Sequence, residues 1–302
     1  MQNQAARGIL YLCIGVFIFS VQDAIIKQVS GSYALTEVVC IRSCVGLPIL
    51  WFLMQKEDGW RDLLRAHMRP LAWRGLIMLG AYTAYYMAFP ALPLADAVAL
   101  YFTVPLFVTA LAGPVLGEHV GWKVWAAVVL GFAGVLIMLQ PGTGLFEPAA
   151  LLSLLSAALY GSAMLMARKF GNQLPTAVMA FYQNCFFLAG PALVALALHL
   201  AGIERATHPS ITFLVRPWVL PTAADTLLIG ICGVVAAVGT MFLTAAYRIA
   251  KSSTVTPFEY TGILWAPLWG FLFFAEVPRL TTLAGAVVIG VAGLIAMRLS
   301  KQ

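Results

Sequence analysis

Apolar runs of about 20 residues recur along the whole of this chain, and they restrict its fold more than any other feature. An α-helix rises about 1.5 Å per residue, so a run of this length crosses the hydrocarbon core of a membrane, which is about 30 Å thick. Hydrophobic residues make up 62% of the 302 positions and charged residues only 10%, whereas a soluble domain carries roughly 25% charged residues. No run alternates in the way a membrane-spanning strand does. The sequence therefore predicts an all-α membrane protein with ten transmembrane helices, at 8–27, 34–54, 73–91, 94–116, 120–139, 149–168, 175–199, 223–247, 252–275 and 280–299.

Basic residues indicate how these helices are oriented. If the N-terminus is cytoplasmic, the cytoplasmic segments hold thirteen Lys and Arg, namely Arg7, Lys56, Arg61, Arg65, Arg69, Arg74, Lys123, Arg168, Lys169, Arg248, Lys251, Arg298 and Lys301. The opposite segments hold four, namely Lys27, Arg205, Arg216 and Arg279. Lys and Arg concentrate on the cytoplasmic side of membrane proteins, so both termini are predicted to be cytoplasmic.

The same distribution accounts for the net charge of +6. Because the basic residues lie in short loops between apolar runs, they indicate orientation in a lipid bilayer and no nucleic-acid partner. One loop, 55–72, places Trp60, Leu63 and Leu64 on one helical face and several arginines on another. This pattern predicts a short amphipathic helix that lies on anionic lipid.

The two halves of the chain resemble each other. Residues 88–118 align with residues 246–276 at a separation of 158, and the run GFAGVLIM at 131–138 aligns with GVAGLIAM at 290–297 at a separation of 159. The earlier helices repeat more weakly at a separation of 141. These separations pair Tyr101 with Glu259, Phe102 with Tyr260, Thr103 with Thr261, Glu118 with Glu276 and Arg42 with Gln183. The sequence thus predicts two repeats of five helices, over 1–140 and 141–302.

Five is an odd number, so the second repeat enters the membrane upside down relative to the first. Inverted repeats place a substrate site near the bilayer midplane, and rocking of one part against another gives alternating access. An enzyme has no comparable need for this symmetry. The repeat therefore predicts a carrier for a small-molecule substrate.

Spans four and nine end in Gly-Glu or Ala-Glu, and spans five and ten are rich in glycine. In these features, and in its ten spans, the chain resembles the drug/metabolite transporter superfamily, and within it the bacterial metabolite and amino-acid exporters. The resemblance covers nearly the whole chain and is strongest over 88–138 and 246–297. Arg42 fits the family pattern, whereas Gln183 and the run Pro257-Phe258-Glu259 depart from it. The resemblance implies export of amino acids or related metabolites across the bacterial inner membrane by a multi-pass protein.

Catalytic constellations are absent from the sequence. It contains no Ser/His/Asp set, no His-x-x-x-His and no glycine-rich loop leading to Lys-Ser/Thr. The five cysteines all lie inside apolar runs, which predicts core packing rather than disulfides or a metal site. We therefore expect no enzymatic activity, no cofactor and no ATP-driven transport.

Arg42 is a charged residue inside span two. Such groups are costly in a membrane and usually face a polar cavity or a partner. A guanidinium group binds a carboxylate in a planar fork, so Arg42 could hold a substrate carboxylate. The alternative is a structural ion pair with Asp23, Glu37 or Asp96, which are predicted at similar depth.

Glu259 is a carboxylate inside span nine. It could bind a substrate ammonium group or take up a proton. The alternative pairs it with Lys251 or Arg248, or with backbone groups freed by Pro257. Kinks are predicted beside Pro105 and Pro257. A role as gate hinges and a role in ordinary helix packing explain these kinks equally well.

Tyrosines form the third group of candidates, and several lie near mid-depth rather than in the interfacial belts where tyrosine usually gathers. A hydroxyl at mid-depth needs a partner, so a polar cavity is a natural place for it, and helix packing is the alternative. Tyr82 and Tyr86 share one helical face. The predicted substrate-binding set is Arg42, Tyr82, Tyr86, Tyr101, Tyr160, Gln183, Glu259 and Tyr260.

This lining suits neutral solutes, with aromatic amino acids favoured, better than sugar phosphates, which would call for several inward-facing basic residues. An alternating-access exporter is therefore the predicted function. Two alternatives stay open: a drug–proton antiporter in which Glu259 is the membrane carboxylate, and a channel or membrane scaffold without alternating access.

Overall fold

The computed structural model describes residues 2–56, 68–117, 121–140, 147–170, 176–249 and 256–299. Helices are the regular secondary structure of these residues. In chain order they are α1 (Gln2–Val29), α2 (Leu35–Lys56), α3 (Met68–Ala88), α4 (Leu94–Tyr101), α5 (Val104–Leu116), α6 (Trp122–Leu139), α7 (Ala150–Phe170), α8 (Thr176–Leu200), α9 (Pro209–Val215), α10 (Ala223–Ile249), α11 (Gly262–Phe274) and α12 (Leu280–Leu299). A 3₁₀ helix, Thr256–Thr261, directly precedes α11.

The apolar runs form helices because lipid offers no partner for backbone polar groups, which a helix satisfies within itself. Within the described residues, five helical segments are long and apolar enough to cross a membrane: Ala6–Val29, Leu35–Lys56, Trp122–Leu139, Ala177–Leu200 and Ala223–Thr240. Shorter apolar helical segments lie at Leu94–Val108, Ala150–Met166 and Leu280–Ala296. The predicted all-α membrane class is thereby confirmed.

Two predicted spans are interrupted. The span predicted at 94–116 forms α4 and α5, which are separated by a turn at Phe102 and Thr103. In the span predicted at 252–275, the described part begins with the 3₁₀ helix and continues as α11. Pro105 lies in the first turn of α5, where its missing N–H would have no helical partner. The first break therefore lies beside Pro105, and Pro257 lies in the 3₁₀ helix.

Two further segments differ from the predicted spans: the short helix α9 and the loop 55–72. The short helix α9 was not predicted, because seven residues are too few to show a periodic pattern; the ring of its Phe213 is fully buried. The predicted amphipathic helix at 55–72 lies mostly outside the described residues, and α3 begins only at Met68.

The chain divides into two compact units. The first contains Met1–Leu79 and Asn172–Trp265, and the second contains Gly80–Gly171 and Ala266–Gln302. In the first unit α1 packs along α10, and α2 packs along α8 and α10. In the second unit α6 packs along α12, while α4 and α5 pack against α7. Each unit thus combines segments from before and after residue 140.

The contact between α6 and α12 depends on glycine. A Cβ atom added at Gly285 would lie 2.6 Å from the carbonyl oxygen of Gly134, and one added at Gly134 would lie 2.9 Å from that of Gly285. Small residues at such crossings let helix backbones approach closely, which is a main source of helix association in lipid.

The segment between α8 and α10 is tied to the first turn of α2 in the first unit. The indole N–H of Trp218 donates to the hydroxyl of Thr36 at 2.8 Å. The backbone N–H of Val219 donates to the Glu37 carboxylate at 3.3 Å. These bonds join that segment to the start of α2.

Tyr33→Phe is expected to lower the free energy of unfolding by about 1 kcal/mol, because a typical hydrogen bond contributes that much. The Tyr33 hydroxyl donates to Asp225 at 2.5 Å and accepts the backbone N–H of Thr222 at 3.3 Å. Thermal melting in detergent measures the effect. Tyr11→Phe is the matched control, since the Tyr11 ring keeps its edge-to-face contact with Phe242. Equal melting temperatures for the two variants would contradict the prediction.

Candidate functional site

A continuous cluster of aromatic rings lies in the second unit. Its ring-to-ring contacts join Tyr82, Tyr85, Tyr86, Phe89, Tyr101, Phe102 and Tyr160. The ring centroid of Tyr101 is 4.6 Å from that of Tyr85, 5.6 Å from that of Tyr160 and 6.4 Å from that of Phe102. Aromatic pairs attract at centroid separations of about 4.5–7 Å. Tyr101, at the end of α4, therefore connects rings on α3 and α7.

Local structure explains how the cluster assembles. Tyr82 and Tyr86 are four residues apart on α3 and meet edge-to-face at 5.7 Å. Tyr85 and Phe89 meet in the same way at 4.8 Å. Because α4 ends at Tyr101, that ring lies beside the break in span four.

The cluster contains the four tyrosines of the predicted set that belong to the second unit. Tyr86 is only 1% exposed, which fits the packing alternative for this side chain. Tyr82, Tyr101 and Tyr160 are half-buried. Tyr85 and Phe89 belong to the same cluster but not to the predicted set, although their spacing on α3 is the same signal that identified Tyr82 and Tyr86.

Arg42 lies in the core of the first unit, with 3% exposure. Its guanidinium carbon is 5.5 Å from the ring centroid of Phe187 on α8, which is within range of a cation–π contact. Among the predicted ion-pair partners, Glu37 accepts the backbone N–H of Val219. Asp23 lies, like Arg42, within electrostatic reach of the Cys232 thiol.

Gln183 also lies in the first unit, on α8. Its side-chain oxygen accepts a hydrogen bond from Nη1 of Arg74 at 3.4 Å. Arg74 is 7% exposed, although its place near the end of a span is the pattern of an orientation signal. Its position inside the span predicted at 73–91 was the signal that could have identified it.

Glu259 and Tyr260 lie in the 3₁₀ helix of the first unit, which packs against α1. Both are half-buried. Two alternative partners are predicted for Glu259, and both Lys251 and the side chain of Arg248 lie outside the described residues.

The carboxylate of Glu276 caps a helix in the second unit. Its Oε2 accepts the backbone N–H of Leu94, the first residue of α4, at 2.9 Å. A negative charge at a helix N-terminus satisfies an otherwise unpaired donor and interacts favourably with the helix dipole. In the same unit, Asp96 accepts the Thr282 hydroxyl at 2.6 Å. The repeat counterpart of Glu276, Glu118, lies outside the described residues.

Metal-binding groups and disulfides are absent from the part of the chain that the structure describes. No three of its His, Cys, Asp or Glu side chains are grouped to hold a metal ion. The five cysteines are free thiols. Cys40, for example, is buried and donates to the carbonyl oxygen of Leu188 at 3.4 Å.

Comparison with known proteins adds information about the class. The chain matches the EamA-like transporter family over residues 6–140 and again over 147–298. A pseudopaline exporter of Pseudomonas aeruginosa is 30% identical over 296 residues, which cover 97% of each chain. A riboflavin transporter of Rhizobium johnstonii is 30% identical over 301 residues, covering 98% of this chain and 92% of that protein. An S-adenosylmethionine uptake transporter of Rickettsia prowazekii is 24% identical, and the alignment covers 98% of this chain and 94% of that protein.

A solved structure shares the fold. It aligns with a TM-score of 0.64 at 18% sequence identity, over 98% of both chains. The three relatives are named as transporters, which confirms the predicted class and the expectation that the chain is not an enzyme. None of the three names is that of an amino-acid exporter, so they do not support the predicted substrate. One relative is named for export and another for uptake.

Proposed function

Because the chain belongs to the EamA-like transporter family, we propose that it is a secondary transporter that moves a small metabolite across the bacterial inner membrane by alternating access. The drug/metabolite transporter resemblance predicted from the sequence is confirmed by this membership.

The proposed architecture is ten spans in two inverted repeats, with both termini in the cytoplasm. Helix bounds support it. Helices α5 and α11 begin at residues 104 and 262 and end at residues 116 and 274, so both ends obey the separation of 158. The ends of α1 and α7 and the starts of α2 and α8 obey the separation of 141. The two separate family matches, over 6–140 and 147–298, agree with this division.

Local geometry also supports the repeat. The hydroxyls of Thr103 and Thr261 each donate to the carbonyl oxygen three residues earlier, at 2.7 Å in both halves. Gly117 and Ala275, which follow α5 and α11, have φ angles of 72° and 53°. Alanine seldom adopts this left-handed conformation. Its occurrence at Ala275, at the position equivalent to Gly117, therefore favours a backbone conformation that the two halves share.

The proposed substrate is a metabolite with a planar aromatic group. The aromatic cluster around Tyr101 is the observation that carries this proposal, because its half-buried rings offer faces and edges on which another ring can stack. Riboflavin and S-adenosylmethionine, which give two relatives their names, both contain planar aromatic ring systems. Aromatic amino acids are the smallest members of the same class, and export of them stays within the proposal.

Counterflow in proteoliposomes tests this function. Vesicles that hold purified protein and unlabelled riboflavin, S-adenosylmethionine or tryptophan are given the same compound in labelled form outside. A carrier gives saturable uptake that internal substrate stimulates, for at least one of the three compounds. Uptake without this stimulation indicates a channel, and no uptake of any compound contradicts the proposal.

Tyr101→Leu is expected to weaken the apparent affinity for the transported compound roughly two- to tenfold, since an aromatic contact contributes about 0.5–1.5 kcal/mol beyond buried area. The counterflow half-saturation concentration measures it. Phe132→Leu is the matched control, because Phe132 lies in the same unit but packs on Phe107, outside the cluster, at 5.3 Å. Equal changes in both variants would show that Tyr101 only packs.

A further inference from the structure

Two buried arginines reach the same face of α8 in the first unit. Gln183 and Phe187 are four residues apart on α8, so their side chains are neighbours on one face. Arg74 donates to Gln183 at 3.4 Å, and the guanidinium of Arg42 lies 5.5 Å from the Phe187 ring centroid. The two guanidiniums therefore approach α8 within about one helical turn of each other.

A second contact gives the depth of this site in the membrane. The side-chain amide of Asn184 on α8 donates to the carbonyl oxygen of Ser43 on α2 at 3.0 Å. These residues are 141 apart, which is the separation that relates the earlier helices of the two halves in the proposed inverted repeat. Equivalent residues of an inverted repeat meet only close to the pseudo-two-fold axis, and that axis lies in the membrane plane. Arg42 and Gln183, each one residue earlier, therefore flank the bilayer midplane.

Charge is most costly at this depth. Ionised residues at the centre of a bilayer are rare, and they mark substrate or ion pathways. Two guanidiniums so close to one helix face attract negative charge. A guanidinium fork matches the two oxygens of a carboxylate in geometry and charge.

We propose that Arg42 and Arg74 form an anion-binding pair that recognises a carboxylate of the transported molecule; this rests on the proposed function. Gln183 positions Arg74 through its side-chain oxygen. The amide nitrogen of Gln183 is a further hydrogen-bond donor of this group of side chains. The substrate class is thereby narrowed to metabolites that carry a carboxylate.

Matched probes test the pair. Tryptophan is compared with tryptophanamide, and S-adenosylmethionine with its decarboxylated form, in the counterflow assay. Arg42→Gln and Arg74→Gln should each weaken transport of the carboxylate member roughly tenfold or more relative to the member that lacks it. An equal loss for both members of a pair, or no loss in properly folded variants, overturns the proposal.

Gln183→Glu gives a second and independent test. The new carboxylate would lie beside Arg74 and occupy the place proposed for the substrate carboxylate. We expect a higher melting temperature together with loss of the preference for tryptophan over tryptophanamide. Gln183→Met, similar in length and uncharged, is the control and should keep part of that preference. A structural role alone would raise the melting temperature of Gln183→Glu and leave the preference unchanged.

Failure of the proposed function gives a different result from failure of the pair. If the wild-type protein moves neither these probes nor riboflavin, the transport proposal fails, and the pair is judged by binding. Tryptophan, and not tryptophanamide, should then raise the melting temperature of the wild-type protein but not that of Arg42→Gln or Arg74→Gln. Absence of this difference overturns the pair.

Discussion

Gly233→Ala should prevent α10 from packing on α2, and so strongly reduce both the yield of folded protein and transport. A Cβ atom at position 233 would overlap the carbonyl oxygen of Arg42 and lie 2.8 Å from Cβ of Val45 and 3.2 Å from the backbone nitrogen of Gly46. Two of these three atoms belong to the backbone and cannot rotate away. The helices must therefore separate, and overpacking of this kind costs about 1–3 kcal/mol, occasionally more.

The transport defect should exceed what the loss of stability alone would cause, because the displaced carbonyl belongs to Arg42. Thermal melting in detergent and counterflow in proteoliposomes measure the two effects. Gly230→Ala is the matched control. It lies three residues earlier on α10, and a Cβ atom there would lie 3.9 Å from the nearest atom, Cγ2 of Val45. Since alanine favours a helix over glycine by up to about 1 kcal/mol, this control should be as stable as the wild type or more so. Similar behaviour of both variants would contradict the prediction.

Much of this fold could be predicted from the sequence because lipid leaves the backbone few choices. An apolar run in a membrane must satisfy its own hydrogen bonds, so length and composition are enough to locate a helix. Kinks beside Pro105 and Pro257 were predicted because proline lacks a backbone donor, and span four does break beside Pro105. The helix α9 escaped prediction because it is short and its Phe213 is buried by tertiary contacts.

The candidate site could be predicted only in part. Spacing on one helix identified Tyr82 and Tyr86, but the place of Tyr101 among several rings depends on where α4 ends and on which helices pack beside it. Arg74 was overlooked because a basic residue near the end of a span has the same pattern as an orientation signal. Its contact with Gln183 joins residues 109 apart in the chain, which no local pattern encodes. Glu276 was identified as a motif residue, yet its contact with the N-terminus of α4 is likewise tertiary.

The symmetry of the predicted repeat does not call for a charge at the position of Glu259. Its repeat counterpart is Tyr101. Glu259 is half-buried in the 3₁₀ helix that directly precedes α11. A carboxylate in such a place is costly unless it is paired, hydrated or protonated. Interrupted spans with polar groups are where secondary transporters bind substrates and coupling ions.

Glu259→Gln should therefore leave the protein folded and abolish either transport or its dependence on pH between about 5 and 8. The substitution keeps the shape of the side chain and removes its charge and its capacity to take up a proton. Counterflow reports substrate binding and exchange, whereas accumulation driven by an imposed pH gradient reports proton coupling. Loss of accumulation with intact counterflow identifies Glu259 as the proton carrier, and loss of both identifies it as a substrate ligand.

Glu204→Gln is the matched control, because it removes the same charge from a side chain that is 52% exposed in the loop after α8. It should leave both assays unchanged. A Glu259→Gln variant that melts like the wild type and transports normally over the whole pH range would give Glu259 a structural role only. A variant that fails to fold would instead support the pairing alternative, since removing one partner of a buried pair leaves the other charge uncompensated. Melting temperature and the two transport assays therefore separate all three roles of this carboxylate.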